Sequence, residues 1–226
     1  MKDGKVLITG IKSSLPIAAF PNSPAQTEVS LIADTFPQPL IWCGNIFEIG
    51  MQSNNGVIHP VSTILNTGWI ESTSGEFLFY RDGMTPSVGR VIEEVDRERL
   101  QIAEALGFRL QTVLEEMANF YGGSYGNFSE FAFQTKVHNA TKITPAHMQD
   151  RYLSEDIPYI LVPWYALGEK VGVDAPTIKA TVEIASVING INYFEQGRNS
   201  NRLGVDRMTK AELLLFASRT TTKVNL

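Results

Sequence analysis

The apolar positions of the first 45 residues fall in short runs, as in an α/β segment. Residues 5–10 indicate a buried strand, and residues 16–20 are compatible with a second one. Residues 25–35 have apolar positions at helical spacing, and residues 40–44 fit either a strand or the start of a helix. Two or three strands and one helix cannot bury both faces of a parallel sheet, so this segment is not a complete α/β domain.

After residue 45 the apolar residues recur three and four positions apart, which predicts helices. The clearest helix runs from Pro86 to Gly107, because proline suits the first helical position and glycine the position past the last. Its polar run, residues 93–99, is typical of a solvent-exposed helix face. We therefore predict a mainly α fold, with a helical domain over residues 46–226 and a small α/β segment over residues 1–45.

Shorter patterns complete this prediction. Residues 76–80 are rich in aromatic side chains and indicate a strand. Residues 110–121 and 176–190 each have a helical pattern that ends at glycine. Residues 209–212 form a capping-box sequence, which predicts one more helix after them.

His59 is the first candidate for chemistry. Pro60 predicts a helix start and Gly68 the end of that helix, which puts His59 at the helix entrance. The positive potential there disfavours an imidazolium ion, so His59 is expected to be a neutral base near pH 7. The alternative, that His59 only caps the helix or packs against it, stays open.

Asp156 is the second candidate, because it precedes Pro158, where we predict another helix start. The helix dipole favours a carboxylate at that position, so on this pattern alone an ordinary capping role is the simpler explanation. Pro163 and Gly168 are expected to interrupt the apolar segment that follows.

The composition restricts the possible functions. With 43% hydrophobic and 19% charged residues and a net charge of −5, the chain resembles an ordinary soluble protein. No cluster of Lys and Arg indicates a nucleic-acid surface, and no apolar stretch is long enough to cross a membrane. The single cysteine, Cys43, excludes an intramolecular disulfide and a cysteine-rich zinc site. We expect a buried thiol, no metal site and a cytoplasmic protein.

Two groups of short motifs carry a family resemblance, and their order and spacing are more specific than any one of them. The first group is His59-Pro60, Leu65-Asn66-Thr67-Gly68 and Ile70-Glu71. The second group is Arg151-Tyr152, Glu155-Asp156-Ile157-Pro158, Leu161-Val162-Pro163, Gly172-Val173 and Pro176-Thr177, with Gly197-Arg198 further on. Together these residues resemble the opine dehydrogenase family, which includes the octopine and nopaline dehydrogenases.

The resemblance implies a two-domain plan. Members of this family have an N-terminal Rossmann domain that binds NAD or NADP and a C-terminal helical domain that binds substrate. Residues 46–226 would be the substrate domain, and residues 1–45 the last strands of the Rossmann domain. The sequence holds no strand–GxGxxG–helix signature and no acidic residue placed to bind a ribose. We therefore expect a fragment, a split gene product or a relative that has lost the cofactor, and a chain that is inactive on its own.

The resemblance also implies a reaction. The family joins an amino acid to a 2-oxo acid as an imine, and hydride from a nicotinamide reduces the imine. His59 would transfer the proton, Asp156 would orient and stabilise its imidazole, and Arg151 would hold a substrate carboxylate. Asn66 is assigned to substrate binding. We expect His59 and Asp156 within hydrogen-bond reach and Arg151 on the same cleft; a plain ion pair with a neighbouring carboxylate is the alternative for Arg151.

Two other functions stay open. The chain could be a non-catalytic helical binding or assembly module that retains the substrate pocket, or part of another two-domain 2-oxo acid dehydrogenase. We expect a homodimer, or association with a separate Rossmann domain, because the face that such a domain would cover is apolar.

Overall fold

The structure, a computed structural model, describes residues 13–20, 26–140 and 142–217. It is mainly helical with one two-stranded sheet near its beginning, so the predicted fold class is confirmed. The strand predicted for residues 5–10 lies outside the described residues. In the part of the chain that the structure describes, no helix is both long and apolar enough to cross a membrane.

The sheet belongs to a β–α–β unit within the first 45 residues. Its elements are β1 (Leu15–Ile17), α1 (Gln26–Ala33) and β2 (Leu40–Trp42). The strands pair in parallel, with Leu15 opposite Leu40, so residues 40–44 begin as a strand and not as a helix. A parallel pair needs a crossover connection, and α1 lies in it.

The rest of the described chain is a helical assembly. Its helices are α2 (Ile46–Met51), α3 (Asn54–Leu65), α4 (Thr67–Thr73), α5 (Pro86–Ala105), α6 (Val113–Tyr121), α7 (Phe128–Gln134), α8 (Lys136–Asn139), α9 (Arg151–Ser154), α10 (Val162–Val171), α11 (Pro176–Asn189), α12 (Tyr193–Gln196) and α13 (Lys210–Ala217). A π-helical segment (Ile157–Leu161) joins α9 to α10. The long helix α5 packs against α3, α7, α10 and α11 and is the centre of the core.

Local capping signals predicted several helix starts correctly. α5 begins at Pro86 and α11 at Pro176. Before α13, the Thr209 hydroxyl accepts the Glu212 N–H at 3.2 Å, and the Glu212 carboxylate accepts the Thr209 N–H at 2.8 Å. This is the reciprocal pair of bonds that the capping-box sequence predicts.

The strand predicted for residues 76–80 is wrong. The Asp82 carboxylate accepts the Leu78 N–H at 2.9 Å, and the Tyr80 carbonyl accepts the Met84 N–H at 3.1 Å, so the backbone folds into successive turns. Phe79 and Tyr80 are buried in the helical core. The aromatic side chains are therefore buried from a loop. The backbone of this loop bonds within its own turns and not to a neighbouring strand.

The polar run of residues 93–99 is only partly the exposed face that we predict. Arg97 is exposed and pairs with Glu94, but Asp96, Glu98 and Arg99 are buried. They tolerate burial because fixed hydrogen bonds satisfy their charges.

Arg99 connects three parts of the chain. Its guanidinium donates to the Asp96 carboxylate at 2.8 Å, to the Met51 carbonyl at 2.6 Å and to the Gln111 carbonyl at 2.8 Å. The second Asp96 oxygen accepts the Val113 N–H at 2.8 Å, which is the first N–H of α6. These bonds hold the end of α2 and the start of α6 against α5.

Glu98 caps a distant helix. Its two carboxylate oxygens accept the N–H groups of Thr177 and Ile178, each at 2.8 Å. Both donors lie in the first turn of α11, where backbone N–H groups have no helical partner and the dipole favours an anion. α11 is thereby held against the middle of α5.

Candidate active site

α3 carries His59 in its second turn. The helix begins at Asn54 and includes Pro60 in its interior, so the predicted helix start at Pro60 is wrong, and so is the helix end at Gly68, which lies within α4. His59 is not at a helix entrance, and the dipole argument for its neutrality does not apply, because the dipole effect is confined to the first turn.

Packing explains why α3 starts before the predicted position, Pro60. A Cβ on Gly56 would come within 3.0 Å of the Trp164 ring and 3.2 Å of Ile160 Cβ, so only glycine lets α3 approach the π-helical segment and α10 this closely. Val57 and Ile58 are buried beside it. The helix tolerates Pro60 because proline removes only the one backbone bond that would reach Gly56.

His59 and Asp156, 97 residues apart, form a buried pair. His59 Nδ1 lies 2.8 Å from Asp156 Oδ2, and the two residues are only 7% and 6% exposed. An ionised carboxylate can only accept, so Nδ1 carries the proton, and the neutral ring presents Nε2 as an acceptor. No hydrogen bond to Nε2 is made within the described residues. The predicted contact is present, and it leaves Nε2 available for chemistry.

Asp156 is not a helix cap. Its backbone is helical, with φ −72° and ψ −30°, and its side chain makes no capping bond. The helical path continues from α9 through the π-helical segment into α10, and Pro163 and Gly168 lie inside this path without interrupting it. The carboxylate is therefore free for His59. A helical segment does start at Ile157, next to the predicted start at Pro158, but the break predicted at Pro163 is wrong.

The π-helical turn has a visible cause. The Val162 N–H bonds the Ile157 carbonyl, five residues back, instead of the Pro158 carbonyl. The Pro158 carbonyl accepts the Arg198 N–H instead, at 2.8 Å. Gly197 permits this contact, because a Cβ there would lie 2.8 Å from the Pro158 oxygen. The loop at residues 197–198 thus stabilises the turn that directly follows Asp156.

Arg151 and Tyr152 extend the site from His59 to the surface. The Tyr152 ring stacks on the His59 ring, with centroids 3.8 Å apart and planes 15° apart. The exposed Arg151 guanidinium lies over the Tyr152 ring, 5.4 Å from the ring centroid. Arg151 forms no ion pair within the described ranges, so the plain ion-pair alternative has no support there. Its guanidinium can bind an anion beside the His59–Asp156 pair.

Asn66 lies two turns beyond His59, at the end of α3. Its amide donates to the Ser62 carbonyl at 2.8 Å and to the Gly83 carbonyl at 3.0 Å. Both amide hydrogens are therefore committed to holding the helix end against the following loop. If Asn66 contacts a substrate, it must do so through its amide oxygen.

The sequence analysis did not predict that Tyr152 and Phe79 belong to this site. Phe79 lies 5.2 Å from Tyr152 and 6.5 Å from His59, centroid to centroid. The signal in the sequence was weak, because Tyr152 only adjoins Arg151 and Phe79 lies in the segment wrongly predicted to be a strand.

Metal-ligating side chains are not clustered in the described residues. These residues contain no group of three His, Cys, Asp or Glu side chains able to hold a metal ion. Cys43 is buried as predicted, and burial, followed by nearby Glu48, raises the pKa of its thiol to about 11. The sequence between β1 and α1 contains no glycine.

A polar cleft opens where the β–α–β unit meets the helical part. Its volume is about 450 Å³, and its wall includes Ser14 and Ile41 on one side and Ser53, Asn54 and Glu116 on the other. Asn54 starts the helix that carries His59, so the cleft reaches α3 about 7 Å along the helix axis from His59.

Comparisons with known proteins agree with these features. Residues 42–189 match the family model of the "NAD/NADP octopine/nopaline dehydrogenase, alpha-helical domain". An opine dehydrogenase of Arthrobacter sp. (strain 1C) is 31% identical over 210 residues, which are 93% of this chain and 58% of that protein. The protein ocs of Agrobacterium vitis is 32% identical over 89% of this chain and 56% of its own length.

A solved structure shares the fold. Octopine dehydrogenase, determined with NADH and L-arginine, superposes with a TM-score of 0.71 at 16% identity, over 91% of this chain and 58% of that one. The chain thus spans a little more than half the length of the relatives it matches. By the match over residues 42–189, the chain belongs to the octopine/nopaline dehydrogenase family and contains its alpha-helical domain.

Proposed function

We propose that this chain forms the substrate-binding and proton-transfer part of an opine dehydrogenase, which reductively condenses an amino acid with a 2-oxo acid. The observation that carries the proposal is the buried His59–Asp156 pair at 2.8 Å, beside an exposed arginine. Structures of octopine dehydrogenase that contain NADH with L-arginine, agmatine or pyruvate support this substrate class.

Each residue has a separate part in the proposed reaction. Arg151 holds a carboxylate through two parallel hydrogen bonds and so fixes the reacting carbon. His59 takes a proton at Nε2 from the ammonium group of the amino acid and then donates it to the oxygen that leaves as water when amine and carbonyl form the imine. Asp156 stabilises the charged imidazole and keeps Nε2 pointed at the substrate. Asn66 would contact substrate through its amide oxygen.

The hydride would come from NADH or NADPH bound by a Rossmann-type domain. The parallel β–α–β unit supports the assignment of residues 1–45 to the last strands of such a domain, with residues 46–226 as the substrate domain. Because the sequence has no strand–GxGxxG–helix signature, we expect this chain alone to bind substrates without oxidising NADH. We place the protein in the cytoplasm, in keeping with its use of soluble metabolites.

Calorimetric titration tests the carboxylate site. Pyruvate and a panel of L-amino acids are titrated into the wild-type chain and into Arg151→Met, which keeps an unbranched apolar side chain and removes the charge. We expect Arg151→Met to weaken binding by about tenfold or more, because a charge-assisted bidentate pair is lost. Arg90→Met, on the exposed face of α5, is the matched control and should bind normally. Equal binding by Arg151→Met and wild type, or no binding by wild type, would overturn the proposal.

A further inference from the structure

The Pro158 carbonyl is a buried acceptor that its own helix cannot satisfy. In an α-helix it would accept the Val162 N–H, but that N–H bonds the Ile157 carbonyl. In a π-helix it would accept the N–H of residue 163, which is a proline and has none. Pro158 is buried, and a buried carbonyl without a donor is costly. The π turn therefore needs a donor from another part of the chain.

The donor is the backbone N–H of Arg198, which lies 2.8 Å from the Pro158 oxygen. Arg198 belongs to the loop that follows α12, and its guanidinium also lies over the Tyr159 ring, 5.3 Å from the ring centroid. The loop thus contacts the π turn through a backbone bond and through a side chain. Only the backbone bond is made to a buried residue, because Tyr159 is exposed.

Gly197 is needed for this bond because of space, not because of its backbone conformation. Its φ of −76° and ψ of 179° are open to any residue. A Cβ at this position would lie 2.7 Å from the Tyr193 carbonyl oxygen and 2.8 Å from the Pro158 oxygen. Both contacts are to backbone atoms, which cannot turn aside as a flexible side chain can. A larger residue at position 197 must therefore move the loop away from the π turn.

The loop is anchored to the helical core through Tyr193. The Tyr193 carbonyl accepts the Gly197 N–H at 2.8 Å, and Tyr193 itself is buried. The Tyr193 N–H donates to the Ser186 hydroxyl at 3.2 Å, and the Tyr193 hydroxyl accepts the Asn189 amide at 2.9 Å, so α12 is tied to α11. The position of the Arg198 N–H is therefore set by packed helices and not by the loop alone.

We propose that Gly197 and the Arg198 N–H are positioning groups for the proton transfer, because they hold the π turn that keeps the Asp156 carboxylate on His59. This inference rests on the proposed function, which gives His59 its role in the reaction. The two groups act on the imidazole only through Asp156. They belong to a motif, Gly197-Arg198, for which the proposed reaction has no other use.

The π turn transmits the effect because Asp156 directly precedes it. The Asp156 carboxylate meets His59 Nδ1 at 2.8 Å. Without the Arg198 N–H, the Val162 N–H is drawn to the unpaired Pro158 carbonyl, and the wide turn shifts back toward Asp156. The carboxylate then leaves Nδ1, and the imidazole proton is no longer fixed on that nitrogen.

Nitrogen NMR of the histidine side chains tests the proposal without substrate or cofactor. The chain has three histidines, so the His59 signals can be assigned by single substitutions at the other two. In the wild-type chain these signals should show the proton on Nδ1. Two variants separate the parts of Arg198: Arg198→Pro removes the N–H, whereas Arg198→Ala removes the guanidinium and keeps the N–H.

We expect Arg198→Pro and Gly197→Ala to lower the ratio of Nδ1-protonated to Nε2-protonated His59 by about tenfold or more, as the loss of one charge-assisted hydrogen bond allows. Arg198→Ala should keep the wild-type ratio. Gly204→Ala is the control for backbone strain, because Gly204 has a φ of +72° and no atom within 4 Å of a Cβ placed there. It should destabilise the fold and leave the His59 signals unchanged.

The possible failures are distinguishable. If wild type has the proton on Nδ1 and both Arg198→Pro and Gly197→Ala keep it there, the positioning role is wrong while the proposed function stands. An equal change in Arg198→Ala and Arg198→Pro also overturns the inference, because the side chain and not the N–H would then be responsible. If wild-type His59 does not carry its proton on Nδ1, the proposed function fails together with the inference. A melting curve for each variant gives a temperature at which all of them are folded.

Discussion

The bond between His59 and Asp156 determines which imidazole nitrogen can meet a substrate. No local pattern predicts a contact between residues 97 positions apart, and the pair could be expected only because both residues lie in motifs that resemble one family. His59 does not lie at a helix start, and Asp156, although it precedes the segment Ile157–Leu161, makes no side-chain capping bond. The contact between two motif residues was therefore easier to predict than the backbone that presents them.

Replacing Asp156 by Asn should allow His59 to change from one tautomer to the other. A neutral amide no longer requires a proton on Nδ1, so the proton can move to Nε2 and occupy the position that should face the substrate. We expect the His59 nitrogen signals to show this change, and turnover of an assembled enzyme to fall by about 10²- to 10⁴-fold. Asp150→Asn is the control, because that carboxylate bonds the Tyr152 N–H and not His59. An unchanged His59 tautomer in Asp156→Asn would contradict the assignment.

His138 should make the fold sensitive to mild acid. Its pKa is about 6.5 in an unfolded chain and about 4 in the folded one, mainly because of burial. Between these values the unfolded state binds the proton and the folded state does not, so stability falls as pH drops from 6.5 to 4 and is unaffected above 6.5.

Urea unfolding at pH 7 and pH 4.5 measures this effect. The loss of unfolding free energy between the two pH values should be smaller in His138→Phe than in wild type by about 1 to 2 kcal/mol, a figure reduced for the partial exposure of the ring. His147→Phe should behave as wild type, because that histidine is exposed. The prediction fails if wild type and His138→Phe lose the same free energy.

Among the helices, local signals predicted some starts correctly but failed at Pro60 and Gly68, and they did not reveal the buried charges. Proline and the capping box act through backbone groups of their own turn, so the starts of α5, α11 and α13 could be located from the sequence. Asp96, Glu98 and Arg99 look like an exposed polar run because their partners lie on other segments of the chain. Periodicity cannot distinguish a solvated charge from a buried one whose partner is remote.

Replacing Arg99 by Leu should destabilise the protein by about 3 to 5 kcal/mol, since it leaves Asp96 buried without its counter-ion and two carbonyls without a donor. Arg97→Leu is the matched control two positions away, and its exposed pair with Glu94 should be worth about 0 to 1 kcal/mol. Denaturant unfolding of the two variants gives the comparison. Similar losses in both would show that the Arg99 network contributes no more than a surface pair.

Replacing Gly56 by Ala should disturb the contact between α3 and α10. The added methyl group would meet Ile160 and Trp164, which are themselves held by packing, so we expect a loss of about 1 to 3 kcal/mol. Gly68→Ala, in α4, has open space around its Cβ and should be neutral or stabilising by about 0.5 to 1 kcal/mol. Thermal melts of both variants test the difference, and a stable Gly56→Ala would show that the helices can separate at little cost.

For the molecule as a whole, the β–α–β unit has several large apolar side chains on its surface. Phe20, Leu31 and Ile41 are 68%, 72% and 53% exposed. Parallel sheets are normally covered on both faces, so this surface is suited to a further domain or a second copy of the chain.

We expect the chain to associate, and sedimentation equilibrium at increasing concentration should show it. Ile41→Lys should weaken the association, since it places a charge on the uncovered strand. Val187→Lys, on the outer face of α11, is the control for a general gain of charge and should have no effect. A clean monomer at high concentration would disprove the expectation.

The π-helical segment also makes the active site depend on how many residues the segment contains, and not only on which residues they are. A π turn accommodates one residue more than an α turn, and each residue of a helix turns the chain by about 100°. Deleting Tyr159, which is exposed, would let the segment close as an ordinary α-helix. Asp156 would then rotate to another side of the helix relative to α10, and His59 would lose its partner although every site residue was still present. Across residues 157–161, a change of length should therefore be less tolerable than a change of side chain.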